Sequence, residues 1–321
     1  MPPTASNPDR LRQLQTQIWQ GSLPLEIHLS SSDCRTYNGS QPYLIQYPRL
    51  SYLAFLLPRL HSYFRSELIH PEVSHHDAWF SFENVPMKWH YPLGLLYDVF
   101  SGTDPVGSDQ DGHGNTTSWK LTVHFTDYPH EQLVQLDPDG RTMLDAFINS
   151  VKEADFIRNG TARAVMSLSK DDSDSLWDAV KTHNMTRYTQ INSKLLSPPG
   201  VTIKHVPFKI YLPTSSDPSS TPATIPEEGT ATDANAPQAK PGHIRVVQAL
   251  MPLQTSSRQP QTVGTALNSI LPTIFPSRRN PLLAQPVLHG TVVPMGANLA
   301  ELGRAASYCD GFLHFGIVMM S

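Results

Sequence analysis

The sequence predicts an α+β chain: two small mixed sheets of ubiquitin-like β-grasp type flanking a helix-rich unit. Three observations carry this. Alternating apolar and polar residues recur between positions 25 and 125 and resume after 201, whereas residues 142–196 repeat only at three- and four-residue steps. Each outer half places strands before and after a helix, which must then pack across one face of a small sheet. The most proline-rich stretch, residues 213–242, falls between two strand segments and not inside one.

The elements follow in order. Residues 9–20, DRLRQLQTQIWQ, read as a helix with an Asp N-cap, Leu11, Leu14 and Ile18 on one face, and Gly21 as its stop. LEIHL at 25–29 alternates as a half-buried strand, and YLIQY at 43–47 suits its hairpin partner. SYLAFLLPRLHSYFRSEL at 51–68 is helical in pattern, with Pro58 expected to kink or interrupt it. WFSFE at 79–83 and PMKWHY at 86–91 read as strands that include His90. PLGLLYDVF at 92–100 opens a short helix on proline, and WKLTVHF at 119–125 closes the set as a strand. Strand–strand–helix–strand–strand–short helix–strand is the β-grasp order.

The middle region carries two helical patterns. In the first, Met143, Leu144, Phe147, Ile148, Val151 and Ala154 form an apolar arc, and Lys152 projects roughly 110° from its centre. The second runs through Leu176, Trp177, Val180, Asn184, Tyr188, Ile191 and Leu195 as one helix ended by SPPG. Beyond 201, FKIYL at 208–212 and IRVVQAL at 244–250 read as arms of a very long hairpin. Helical signals at 263–275 and 298–307 and strands at 285–293 and 312–320 then repeat the first half's order. The expected division is an N-terminal segment 1–22, a first sheet unit 23–127, a helical unit 128–200 and a second sheet unit 201–321. Three stretches read as loops or inserts: 101–118, 213–242 and 251–261. The second lacks the apolar residues that would repay ordering.

Composition narrows the function. At 321 residues, 39% are hydrophobic and the net charge is −4, which leaves no basic excess for a nucleic acid partner. Two distant cysteines, Cys34 and Cys309, form neither a disulfide framework nor a metal set and suit a reducing compartment. No leader or apolar span is visible, so a cytoplasmic protein with at most peripheral membrane contact is expected. Among fourteen histidines, adjacent His75 and His76 cannot both face one ion from a regular element, and no H-E-x-x-H or CxxC occurs. Cys309 with His314 is a weak nucleophile candidate, since a turn intervenes. G-x-S-x-G, P-loop and Rossmann patterns are absent, so no enzyme is indicated and no cofactor is expected.

The densest aromatic stretch, 79–98, places Trp89, His90 and Tyr91 either in a sheet core or on a platform for another protein. PRLSYLAFL, PMKWHYPLGLLYD, KLTVHF, INSVKEAD, LWDAV, QINSKLL, VPFKIY, VLHG and DGFLHFGI appear in that order between about residues 17 and 320. Together they resemble the autophagy protein 5 family. The resemblance implies two ubiquitin-like domains around a helical one. It implies an isopeptide bond to autophagy protein 12 on the lysine of a K-E-A-D motif, here Lys152. It further implies association with the N-terminal helix of autophagy protein 16. The conjugate would then stimulate autophagy protein 3, the carrier that passes autophagy protein 8 to phosphatidylethanolamine at the phagophore membrane. Family helices run on past the acceptor, whereas Gly160 is expected to shorten or loosen this one. The partner cleft is expected near Trp19 and Leu23 together with Trp89, His90 and Tyr91, with Trp19 equally able to plug the first unit's core. An unconjugated ubiquitin-like scaffold is the alternative, and a small hydrolase a more distant one.

Overall fold

A computed structural model describes residues 8–37, 39–101, 118–196, 203–214 and 243–320. Nearly all of the 101–118 and 213–242 inserts therefore lie outside the described residues. Helix α1 (Pro8–Gln20) leads into β1 (Ser22–Leu29) and β2 (Tyr43–Pro48). A 3-10 turn over Leu53–Leu56 precedes α2 (Leu57–Phe64), followed by β3 (Trp79–Phe82), β4 (Val85–Pro86), α3 (Leu93–Phe100) and β5 (Trp119–His124). The strand order is β2-β1-β5-β3-β4, with β1 parallel to β5 and the other pairs antiparallel. Alternation on β1 puts Leu23, Leu25, Ile27 and Leu29 inside, against buried Leu60 and Phe64 of α2.

The second sheet contains β7 (Phe208–Thr214), β8 (His243–Gln248), β10 (Ala284–Leu288), β11 (Thr291–Val292) and β12 (Leu313–Met319), in the order β11-β10-β12-β7-β8. Its first and last strands are again parallel neighbours, so the two sheets share one topology. Helices α8 (Val263–Ile270) and α9 (Leu299–Ala305) belong to this unit, and β6 (His205–Val206) pairs with β9 (Met251–Pro252) in a two-stranded ribbon. Between the sheets lie α4 (Arg141–Asn159), α5 (Arg163–Met166), α6 (Lys170–Lys181) and α7 (Met185–Leu196). This is the expected fold of two ubiquitin-like units flanking helices.

Several elements differ from the sequence reading, each for a local reason. Pro58 does not kink a long helix; it sits in the first turn of α2, where its missing N–H is not needed. Of the strand read at 86–91 only Pro86 pairs, together with Val85 before it, so His90 lies in a turn. The single helix read across 176–195 is two, because His183 takes φ 54° and Asn184 accepts from Arg187 N at 3.0 Å, capping α7. Positive φ at His289 and Gly290 divides the 285–293 strand into the β10–β11 hairpin. Residues 251–261 are no open insert: Gln254 bridges Pro260, and Thr255 N donates to Gln259 O at 2.8 Å.

Arg49, just after β2, holds the two sheet units together. Its guanidinium donates to Gly94 O at 3.2 Å and pairs with the buried Asp98 carboxylate of α3. The other oxygen of Asp98 accepts from Gly290 N of the β10–β11 turn at 2.8 Å. Burial pushes the Asp98 carboxyl above its ordinary value, against the pull of Arg49 and Gly290. Two glycines make room: a Cβ on Gly94 would lie 2.9 Å from Arg49 Cβ, and one on Gly290 would lie 2.9 Å from Arg49 Nη2. Arg49→Ala, which strands a buried carboxylate, is expected to lower stability by about 3–5 kcal/mol in urea unfolding, and Arg49→Met with Asp98→Leu to recover most of it.

The same junction carries an acid sensitivity. His289 Nε2 donates to Ala306 O at 2.8 Å and the ring stacks on Tyr308 at 4.2 Å, while burial pushes its pKa down to about 3. Below an unfolded value of about 6.5 the unfolded chain takes up a proton that the folded chain refuses, so stability falls as pH drops from there toward about 3. His289→Gln is expected to flatten that limb by up to about 1.4 kcal/mol per pH unit, read from urea midpoints across the range.

Candidate functional site

Helix α4 is built to hold its central turns still. Asp137 caps its start, accepting from Arg141 N at 2.9 Å and Thr142 N at 2.6 Å. At the other end Gly160 adopts φ 76° and donates to Phe156 O at 2.7 Å, a left-handed stop that leaves the helix two full turns beyond Lys152. Gly160 therefore does end α4, but only after those two turns.

Within VKEAD each side chain but one has an internal task. Val151 is buried in the main core. Glu153 accepts from Lys209 Nζ of β7 at 2.8 Å and Gln248 Nε2 of β8 at 3.0 Å. Ala154 packs with Ile157 and Phe312, close against Gly311 at φ 86°. Asp155 is buried and accepts from Asn159 Nδ2 at 2.6 Å and Val165 N at 3.0 Å, fixing the start of α5. Lys152 is exposed and, among the described residues, makes no hydrogen bond or ion pair. One turn on, Phe156 is 58% exposed.

The turn before β12 ties α4 and α7 to the second sheet. Ser150 Oγ donates to Asp310 at 2.8 Å, Arg158 donates to Gly311 O at 2.9 Å, and Tyr188 Oη donates to Cys309 O at 3.4 Å. Asp310 also binds His314 Nε2 at 2.9 Å, whose Nδ1 meets Tyr211 Oη at 2.8 Å. Both ring nitrogens are therefore occupied by protein groups, and the buried Cys309 thiol is pushed up by desolvation and then by Asp310. The Cys309–His314 nucleophile candidate is thereby set aside. Among the described residues no cluster of three or more His, Cys, Asp or Glu could hold a metal ion.

Two separate cavities divide the residues named for partner binding. Trp89, His90 and Tyr91 line one of about 530 Å³ at the junction of all three units, with Phe147, Ser150 and Tyr211 on its far walls. Trp89 is largely buried and donates to Val134 O at 2.7 Å, whereas His90 is exposed at the rim. Trp19 lines another cavity of about 240 Å³ with Ile18, Leu50, Met185 and Tyr188. Leu23 is buried on the inner face of β1 and lines neither. The sequence reading joined these residues in one cleft; the fold sets them on different walls.

Trp19 does not plug the first sheet. It donates to His183 O at 3.2 Å while His183 Nε2 donates back to Trp19 O at 2.7 Å, and the rings stack at 4.7 Å. Tyr188 closes the other side at 5.0 Å. Of the residues missed from sequence, Arg49, Asp98 and Asp310 carry one faint signal, a charge within an otherwise apolar run, and Ser150 carries none. Trp19→Ala is expected to cost about 3–5 kcal/mol of stability by calorimetry, since it removes a buried ring, its stacking on His183 and the indole hydrogen bond to His183 O.

Comparison with known proteins agrees across the chain. Family models described as autophagy protein ATG5 match in three parts: the UblA domain at residues 18–125, the alpha-helical bundle region at 140–198 and the UblB domain at 205–317. Autophagy protein 5 of Phaeosphaeria nodorum is 50% identical over 319 residues, covering 96% of this chain and 97% of that protein. The Aspergillus oryzae protein of the same name is 46% identical over 320 residues, covering 97% and 98%. A crystal structure of Kluyveromyces marxianus Atg5 superposes with a TM-score of 0.71 at 22% identity, over 95% of this chain and 99% of that one, and so shares the fold. With three consecutive family models and near-full-length relatives at this identity, the chain belongs to the autophagy protein 5 family.

Proposed function

We propose that this chain is a non-catalytic scaffold whose Lys152 accepts autophagy protein 12. The observation that carries the reading is the division of labour in VKEAD: four side chains are committed to packing or hydrogen bonds, and the lysine alone is free among the described residues. Its amine attacks the acyl thioester of the incoming protein, an amide forms, the carrier thiol leaves, and the amine loses a proton. A helix capped at both ends and pinned by Ser150 and Glu153 holds that amine at a fixed place on the surface.

The conjugate then binds the N-terminal helix of autophagy protein 16 and stimulates autophagy protein 3 to transfer autophagy protein 8 to phosphatidylethanolamine. It works in the cytoplasm and peripherally at the phagophore membrane. The Trp19 cavity, walled by Ile18, Met185 and Tyr188, is the apolar seat for the partner helix. Trp89, His90 and Tyr91 front the second cavity, which lies on the Glu153 side of α4 and is open to a bound protein.

Lys152→Arg keeps charge and helix propensity but lacks the amine. It is expected to fold normally and to give no higher-mass conjugate in a reconstituted reaction with the activating and carrier enzymes. A branched peptide mapped to another lysine would refute the assignment, and no conjugate from the parent chain either would favour the unconjugated scaffold.

A further inference from the structure

The two five-stranded sheets have four edges between them, and three are closed in ordinary ways. β4 and β11 are two residues long, and β8 carries Arg245 in mid-strand. β2 has neither protection. It runs for six residues, YLIQYP, without a charge, and proline comes only at its last position. The hydrogen-bond phase shows which of its backbone groups face out. Arg49 N donates to Gly21 O at 2.9 Å, one pair beyond the Ser22–Pro48 end of the β1–β2 register. Bonded pairs alternate in an antiparallel ladder, so Tyr43, Ile45 and Tyr47 turn their amides to β1, and Leu44 and Gln46 turn theirs away. Neither of these two has a backbone partner on its outward side among the described residues.

The side chains along this edge are apolar on both faces of the sheet. Leu44, on the outer face, is 67% exposed. On the inner face Tyr63 of α2 is 45% exposed and meets the Tyr43 ring edge-on at 4.9 Å. Arg59, one turn earlier in α2, lies over the same Tyr43 ring at 5.7 Å and pairs with no carboxylate among the described residues. Glu26, opposite Leu44 in register, lies on the outer face and is hydrogen-bonded to His28 Nε2 at 2.8 Å, so this acid does not face α2.

We infer that β2 takes up an added strand: an extended apolar segment of another protein, with an acidic residue set against Arg59 at the Tyr43 end. The outward N–H and C=O groups of Leu44 and Gln46 select this occupant. Backbone donors and acceptors at strand spacing match an extended main chain, and neither a helix nor a lipid offers the complementary row. Tyr63 borders one side of the added strand and Leu44 the other. Both of its alternating faces therefore meet apolar surface, and its apolar residues run consecutively. Arg59 supplies the charge complement for the acid. The inference does not rest on Lys152.

The test uses the full chain and a dye-labelled synthetic peptide in which aspartates precede a Val-Ile-Val-Ile run. Fluorescence anisotropy is expected to show saturable binding, weakened about tenfold by Leu44→Pro at an unchanged melting temperature, since that change removes an outward N–H and spares the bonds to β1. Adding the peptide is expected to slow hydrogen exchange at the Leu44 and Gln46 amides and not at Ile45. Arg59→Glu is expected to remove the preference over a peptide led by serines. Peptides N-methylated on alternate residues need no variant: methylation in one phase is expected to abolish binding, and in the other to leave it intact. Failure of the parent chain to bind, equal binding by Leu44→Pro or by both methylated peptides, a preference kept in Arg59→Glu, or protection of Ile45 alone overturns the proposal. So does a dimer in sedimentation velocity that Leu44→Pro dissolves, which would make β2 a contact between copies.

Discussion

The buried pairing of Arg49 with Asp98 is the constraint on which the arrangement of the units rests. One guanidinium reaches the end of the first sheet, the start of α3 and, through Asp98, the β10–β11 turn of the second sheet. The pair is not fully satisfied, since Arg49 Nε has no partner among the described residues. A buried ion pair in this condition adds little to net stability relative to a well-packed apolar substitute, but it penalises any other docking of the two sheets, which would leave a charge unpaired. Its contribution is to geometry, and the glycines at 94 and 290 are the clearance it needs.

That fixed angle between the sheets makes the helical unit's position meaningful. Residues 308–312 form a hub to which Ser150, Arg158 and Tyr188 each attach, and Gly311, lacking a side chain, lets Ala154 and Arg158 approach. Trp19 and His183 repeat the device beside it, clasping α1 to the turn between α6 and α7. Helix α4 is thus fastened to the second sheet and the turn before β12, and the placement of Lys152 follows from contacts that the lysine itself does not make.

Much of the fold was legible in the sequence because small sheets and capped helices write their periodicity openly. β1, with Leu25, Ile27 and Leu29 alternating, and α4, with its apolar arc, are examples. What was hidden depended on backbone conformation or on distant partners. The break at Thr182–Asn184 keeps the three- and four-residue spacing of apolar positions, so periodicity reads through it, and only φ 54° at His183 reveals the turn. The splitting of 285–293 has the same origin at His289 and Gly290. Of the candidate site, Lys152 was legible as a residue off the buried arc, and its motif gave the family. The separation of Trp19 from Trp89, His90 and Tyr91 was not, because it is set by how three units dock, and docking rests on Arg49 and Asp310, whose partners lie far off in sequence.

The β7–β8 hairpin has an evolutionary corollary. Thr214 and His243 are register partners, so the polypeptide leaves the sheet and re-enters it at points one strand spacing apart. The entropy of closing such an excursion grows only logarithmically, about 0.6 kcal/mol for each doubling of its length. Selection can therefore lengthen, shorten or rewrite the intervening segment while the parallel β7–β12 pair and the Lys209–Glu153 bridge to α4 stay in place. Lineages can diverge freely at this point without disturbing α4.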